Sequence, residues 1–265
     1  LSKDISAILK GWEYDPSRVS ARWIQGEDGT TKIQLRLDLG LFQMEANGRP
    51  DGSRPRGYAT LLDYYTTLER TSKGQDFPVL DEDACAELQQ EAVQFYYRYL
   101  SLYALRHYEG VIRDTGHNMG ILQMVERHAE DEDLAWEFLQ FFPYIRMMHA
   151  RATAEQFTDG GRDEYELAIH AVQQALEDIR GFWMKHGDPD FEEEMSSDEE
   201  DVLRELLDDL RERRPKSQSE RIREDMERAI AVENYEKAAT LRDALHRMEK
   251  IEPKVPAVRQ DAPSA

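Results

Sequence analysis

Apolar residues alternate with polar ones near the start of this chain and recur at three- and four-residue steps through most of the rest. A short cluster, Ile5, Ile8, Leu9 and Trp12, suits a helical turn or two before Pro16 breaks the pattern. Val19 to Ile24 and Lys32 to Met44 then read as two paired strands. Asp28-Gly29 between them is a hairpin turn signal, because both residue types tolerate positive φ. In the second strand Ile33, Leu35, Leu37, Leu39 and Leu41 fall on one face and Gln34, Arg36 and Asp38 on the other. Gly40 leaves room for a bulge. A leucine face of this kind needs cover, and the helices that follow are the nearest source.

From Tyr58 to His186 the period is helical. Leu61, Leu62, Tyr65 and Leu68 mark one helix, and Asp81 opens a longer one rich in tyrosine that runs through Leu105. Val111, Ile112, Met119, Leu122 and Val125 mark the next, although Gly116 and Gly120 weaken its continuity. Asp131 or Asp133 can cap a further helix, Pro143 kinks or restarts it, and Asp159-Gly160-Gly161 ends the run. Leu167, Ile169, Val172, Leu176, Ile179, Phe182 and Trp183 close the bundle. The segments Tyr108 to Ile112 and Tyr165 to Ile169 echo each other loosely, in the manner of a tetratricopeptide unit. Their offset of 57 residues departs from the period of about 34 in that repeat, so plain antiparallel packing and a degenerate repeat both stay open.

Beyond Asp188-Pro189 the chain turns acidic: Phe191 to Asp209 holds ten acids and one base. Ser196 and Glu199 fit a capping box ahead of a short helix carrying Val202, Leu203, Leu206, Leu207 and Leu210. That helix reads as a solvated bridge or as an acidic dock for a basic partner. Ser217 and Glu220 form another capping box after a polar linker. Two helices with a tight break follow. The first carries Ile222, Met226, Ala229 and Ile230, and the second Tyr235, Ala238, Leu241, Leu245 and Met248. Each presents one narrow apolar stripe, as in a coiled-coil seam. Asn234 can cap the second helix, and alanine at 229, 238 and 239 lets two backbones approach closely. Burial within so small a pair falls short of the entropy lost in ordering it, so the stripe wants a third surface, either another protein or the rest of this chain, on which the hairpin would fold back as a brace. The tail after Ile251, with Pro253, Pro256 and Pro263, has the composition of disorder.

The same stretch resembles the UVR motif. Ile222, Met226 and Ala229 match its first helix, and Tyr235, Glu236, Ala238, Ala239, Arg242 and Asp243 match the run that opens its second, with Tyr235 where phenylalanine is usual. The resemblance covers residues 219–250 and implies a helical hairpin that docks on another protein. Members of the family occur in bacterial excision-repair subunits, in an activator of a protein-arginine kinase and in plastid Clp-protease adaptors. The resemblance, together with the apolar stripe that adds Leu241, Leu245 and Met248, makes Ile222, Met226, Ala229, Tyr235, Ala238, Ala239, Leu241, Arg242, Leu245 and Met248 the candidate partner-binding residues. Arg242 and Asp243 sit near the seam, where charges fix register.

Composition narrows the function classes. Charged residues make up 33% of the chain and the net charge is −20, which disfavours nucleic acid, whose binding needs protein cations against phosphate. No run of apolar residues is long enough for a membrane span, and the opening residues lack the pattern of a signal peptide. One cysteine, Cys85, excludes an internal disulfide and a multi-cysteine zinc site; it reads as a core residue in a reducing, cytoplasmic compartment. Asn47 to Gly57 is dense in glycine, proline and arginine, and Arg49, Arg54 and Arg56 are candidates for holding a phosphate or an acidic peptide, against the plainer reading of a solvated loop. There is no P-loop, no HExxH and no GxSxG, and the seven histidines are scattered. Glu166 and His170 stand four apart, without a second pair to complete a metal site.

The expected fold is mainly α. Residues 1–57 form a β-hairpin region with its arginine loop, packed on a helical bundle at 58–187. An acidic helix and linker (188–218), a UVR-like helical hairpin (219–250) and a disordered tail (251–265) complete it. The expected function is a non-enzymatic adaptor for another protein, a protease or a repair component, with no cofactor, metal, nucleic acid or membrane involved. The alternative is a small-ligand-binding protein or enzyme with its site between the β-hairpin and the bundle.

Overall fold

Three short antiparallel strands follow a single turn of helix α1 (Ser6–Leu9): β1 (Ala21–Gln25), β2 (Thr31–Arg36) and β3 (Leu41–Glu45), in the order β1-β2-β3. The computed structural model describes residues 4–72, 77–159, 163–187, 197–216 and 218–251, apart from the side chains of Gln218 and of residues 248–251. The Asp28-Gly29 turn forms as expected, with Gly29 at φ +77° and the Asp28 carboxylate accepting from the Thr30 N–H at 3.0 Å.

The long second strand expected from Lys32 to Met44 is instead two strands. The chain reverses at Asp38-Leu39, where Leu37 and Gly40 exchange N–H···O bonds of 2.9 and 3.3 Å and Asp38 accepts from the Leu39 N–H. Leu39 stands 91% exposed at the tip. Pairing Leu35 with Phe42 and Ile33 with Met44 puts odd residues of β2 beside even residues of β3. The leucine alternation therefore changes face at the turn, which a period of two read along one strand cannot reveal.

Ile33, Leu35 and Met44 are buried, and the sheet meets the helices through edge-on ring contacts of Trp23 with His107 and Phe42 with Tyr97. The helices are α2 (Leu61–Thr71), α3 (Glu82–Ala104), α4 (Tyr108–His128), α5 (Glu132–Leu139), α6 (Phe142–Thr158), α7 (Tyr165–His186) and α8 (Asp198–Arg213). Thr60, Asp81 and Asp131 each accept an N–H of the first turn that would otherwise go unpaired. One core gathers Ile33 and Leu35 with Tyr99, Leu102, Val172 and Ile179; the other lies under α2 and α5 around Leu88, Ile121 and Phe138. Cys85 belongs to the second core, and burial pushes its thiol up to about 11.

The acidic helix α8 is part of this body. Leu203, Leu207 and Leu210 are buried in the first core, while its carboxylates are exposed apart from buried Glu200 and half-buried Glu199. A reciprocal capping box opens it one residue later than expected: Ser197 N–H donates to Glu200 Oε2 (3.0 Å) and Glu200 N–H to Ser197 Oγ (3.3 Å). Ser196, Ser217 and the proline-containing tail lie outside the described residues.

The chain divides into two compact units, Leu1–Glu212 and Arg213–Ala265. The second consists of α9 (Gln218–Ala231) and α10 (Tyr235–Ile251), packed on each other. No described helix is long and apolar enough to cross a membrane.

Candidate functional site

The connection between α9 and α10 sets the geometry of the C-terminal hairpin. The Asn234 N–H donates to Ala229 O at 2.8 Å and the Glu233 N–H to Ile230 O at 2.9 Å, with Glu233 at φ +58°. These are the two bonds of a Schellman ending, and they satisfy carbonyls that the last turn of α9 leaves open. Asn234 then caps α10 as its sequence position implied, its Oδ1 accepting from the Lys237 N–H at 3.1 Å. One residue thus closes the first helix and starts the second, so the break is as short as the apolar stripes required.

Within the hairpin Ala229, Ala238 and Leu245 are buried, and Ile222, Met226 and Leu241 are half-buried. Ala239 and Tyr235 are exposed, as is Arg242, whose guanidinium lies 3.0 Å from Asp243. The side chain of Met248 is outside the described residues. Ile230, Val232 and Tyr235 stand 49, 75 and 65% exposed, all at the closed end. No motif marks Val232; its signal in the sequence is an apolar residue inside a helix–helix connection, where polar ones are usual.

The three arginines of the 47–57 loop aim at separate protein partners. Arg49 is buried and lies 3.2 Å from Glu91 and 3.1 Å from Asp51. Arg56 reaches Glu87 at 2.6 Å and lies 5.0 Å over the Tyr64 ring. Arg54 is exposed, with the Gly57 carbonyl at 3.5 Å.

Glu91, which no sequence motif marks, anchors this region. Its carboxylate accepts the Leu61 and Leu62 N–H groups at 2.8 and 3.1 Å, so it supplies negative charge to the N-terminus of α2. His117 Nε2 lies 3.1 Å from Oε1, the oxygen that also accepts from Leu62, with the imidazole stacked 3.7 Å from Phe95. Burial pushes the Glu91 carboxyl up, but the hydrogen bonds from His117, Leu61 and Leu62 outweigh it and hold the group below its ordinary value. The sequence signal was positional. Glu91 and Arg98 fall seven apart on the stripe that also carries Leu88, Phe95 and Leu102, so both point into the core.

A cavity of about 450 Å³ lies between β3 and α3, lined by Phe42, Met44, Pro50, Val93 and Tyr97 among others. It occupies the place expected for a ligand site, but none of Arg49, Arg54 and Arg56 lines it. Among the described residues no group of three or more His, Cys, Asp or Glu is placed to hold a metal ion.

Residues 216–251 match the family model of the UVR motif, described as the UvrB/uvrC motif. Neither a curated protein nor a solved structure matches the chain.

Proposed function

We propose that this chain is a non-enzymatic adaptor that docks through its C-terminal hairpin on a second protein, a repair component of the UvrB/UvrC type. The UVR motif is a protein-interaction motif related to DNA repair, which supports the coarse part of the reading. The observation that carries the finer part is the exposure of Ile230, Val232 and Tyr235 together at the closed end of the hairpin. Among its described residues the helical pair buries only Ala229, Ala238 and Leu245, and leaves larger side chains in water. Covering them on a partner recovers hydrophobic free energy of roughly 25 cal/mol per Å² of apolar surface, and aromatic residues such as Tyr235 are favoured anchors for such contacts.

The partner is a protein rather than nucleic acid, because a net charge of −20 opposes phosphate. A reducing, cytoplasmic setting belongs to the same proposal and accords with a single buried cysteine. The test is affinity purification with the full chain and with an Ile230→Ser, Tyr235→Ser double variant whose helicity is checked by circular dichroism. The repair component should be lost from the variant, and a protease in its place would move the partner class. An unchanged set of partners would refute docking through this end of the hairpin.

A further inference from the structure

A second cavity, of about 550 Å³, opens among α3, α4, α5, α6 and the start of α8 in the larger unit. That is the size of a small-molecule site. Its wall is largely aromatic, formed by Tyr96, Tyr99, Phe138, Phe141 and Tyr144. The Tyr96 ring meets Tyr99 edge-on at 5.4 Å and lies 6.3 Å from Tyr144. The charged part of the lining is one-sided. Glu137 and Glu199 contribute to it, beside the amides of Gln89, Asn118 and Gln140, and among the described residues no Lys, Arg or His does.

Asn118 gives the cavity a specific feature. The residue is 3% exposed, and its Nδ2 donates to Ala92 O at 3.0 Å. That bond fixes the amide, since rotating it would set two oxygens against each other. Oδ1 is then a buried acceptor that receives no hydrogen bond from the protein. Buried polar atoms in native proteins are nearly always paired, so an acceptor of this kind calls for a donor.

We propose that this cavity binds a small organic ammonium ion, with an N–H donated to Asn118 Oδ1 and an apolar body held among the aromatic rings. The faces of aromatic rings attract cations through their quadrupole. Glu137 and Glu199 add negative charge, and the net charge of the chain favours the approach of a cation over that of an anion. Burial pushes the phenols of Tyr96, Tyr99 and Tyr144 above their ordinary value, so they stay neutral and offer π faces and hydroxyls rather than phenolates. The site uses no residue of the hairpin and stands independently of the adaptor reading.

The experiment titrates the full chain with three probes that share one body, phenethylammonium, 2-phenylethanol and phenylacetate, using calorimetry and ligand-observed NMR. Phenethylammonium should bind saturably at one site, at least about tenfold tighter than the alcohol, with phenylacetate weakest, as expected for a charge-assisted hydrogen bond plus cation–π contact. Asn118→Leu should weaken the cation about tenfold. Phe141→Ala, which trims an exposed ring, and Glu137→Gln, on the surface of α5, guard against a folding defect and should each weaken it about threefold while leaving the thermal midpoint unchanged. Three results overturn the proposal: no saturation below about 1 mM, equal binding of all three probes, or unchanged affinity in all three variants. An ordered water as the sole partner of Oδ1 would give the first of these.

Discussion

Arg98 and Asp114 meet through two hydrogen bonds, Nε to Oδ2 at 2.6 Å and Nη2 to Oδ1 at 2.8 Å, with 1% and 0% of their side chains exposed. The remaining Arg98 nitrogen donates to the carbonyls of Glu45 and Gly48, and Arg113 adds a third bond to the Asp114 carboxylate. The pair thus ties the chain leaving β3 to both α3 and α4. Removing one partner of such a pair strands a buried charge, which typically costs 3–5 kcal/mol. Asp114→Ala should lose about that much in urea unfolding of the full chain. Replacing both residues, as Arg98→Met with Asp114→Leu, should recover part of the loss. A loss below about 1 kcal/mol for the single variant would place the pair with exposed salt bridges instead.

His149 predicts a pH dependence. Burial, aided by the positive charge of Arg146, pulls its pKa from 6.5 down to about 4. The folded protein holds the ring neutral while the unfolded chain takes up a proton below pH 6.5, so the unfolded state binds more protons and stability falls as pH drops from about 6.5 to 4. The loss is on the order of 3 kcal/mol across that window, with no further change from this group below it. Glu91 adds a loss at lower pH: its folded pKa is depressed, so its contribution is present above the ordinary carboxylate value and fades as pH falls through the folded one. His149→Gln should flatten the curve of urea midpoint against pH between 6.5 and 4.5 and leave the more acidic limb in place. An unaltered slope in that window would assign the dependence elsewhere.

Glu233 occupies the left-handed conformation at the hairpin turn, where a side chain is strained and glycine is not. Glu233→Gly should stabilise the hairpin by roughly 0.5–1 kcal/mol. The check is hydrogen exchange at the α9 and α10 amides, which should slow. Faster exchange would mean that the carboxylate makes a contribution larger than the backbone strain it carries.

Gly116 and Gly120 sit in α4, which runs unbroken from Tyr108 to His128. A Cβ at Gly116 would meet nothing within 4 Å, so Gly116→Ala should gain up to about 1 kcal/mol from helix propensity. A Cβ at Gly120 would lie 2.8 Å from Leu62 Cδ2 of α2, so Gly120→Ala must displace a packed leucine and should gain less or lose stability. Thermal midpoints of the two variants distinguish the sites, and equal shifts would contradict the close approach of α2 at Gly120.

By itself the sequence determined what depends on near neighbours. The helical periods, the caps at Asp81, Asp131 and Asn234, the Asp28-Gly29 turn and the two stripes of the C-terminal hairpin all follow from chemistry within a few residues. Tertiary structure decided the rest. The strand expected over Lys32 to Met44 broke at Asp38-Leu39 because register is set by pairing with another strand. Arg49 turned inward because Glu91, some forty positions away, was already fixed on α3 facing the start of α2. The acidic helix joined the body because its leucines met the first core, and the aromatic cavity drew its wall from residues between 89 and 199. Local periodicity says which side of an element is apolar; which surface covers it depends on chain reversals that bring distant residues together, and no window of a few residues encodes those.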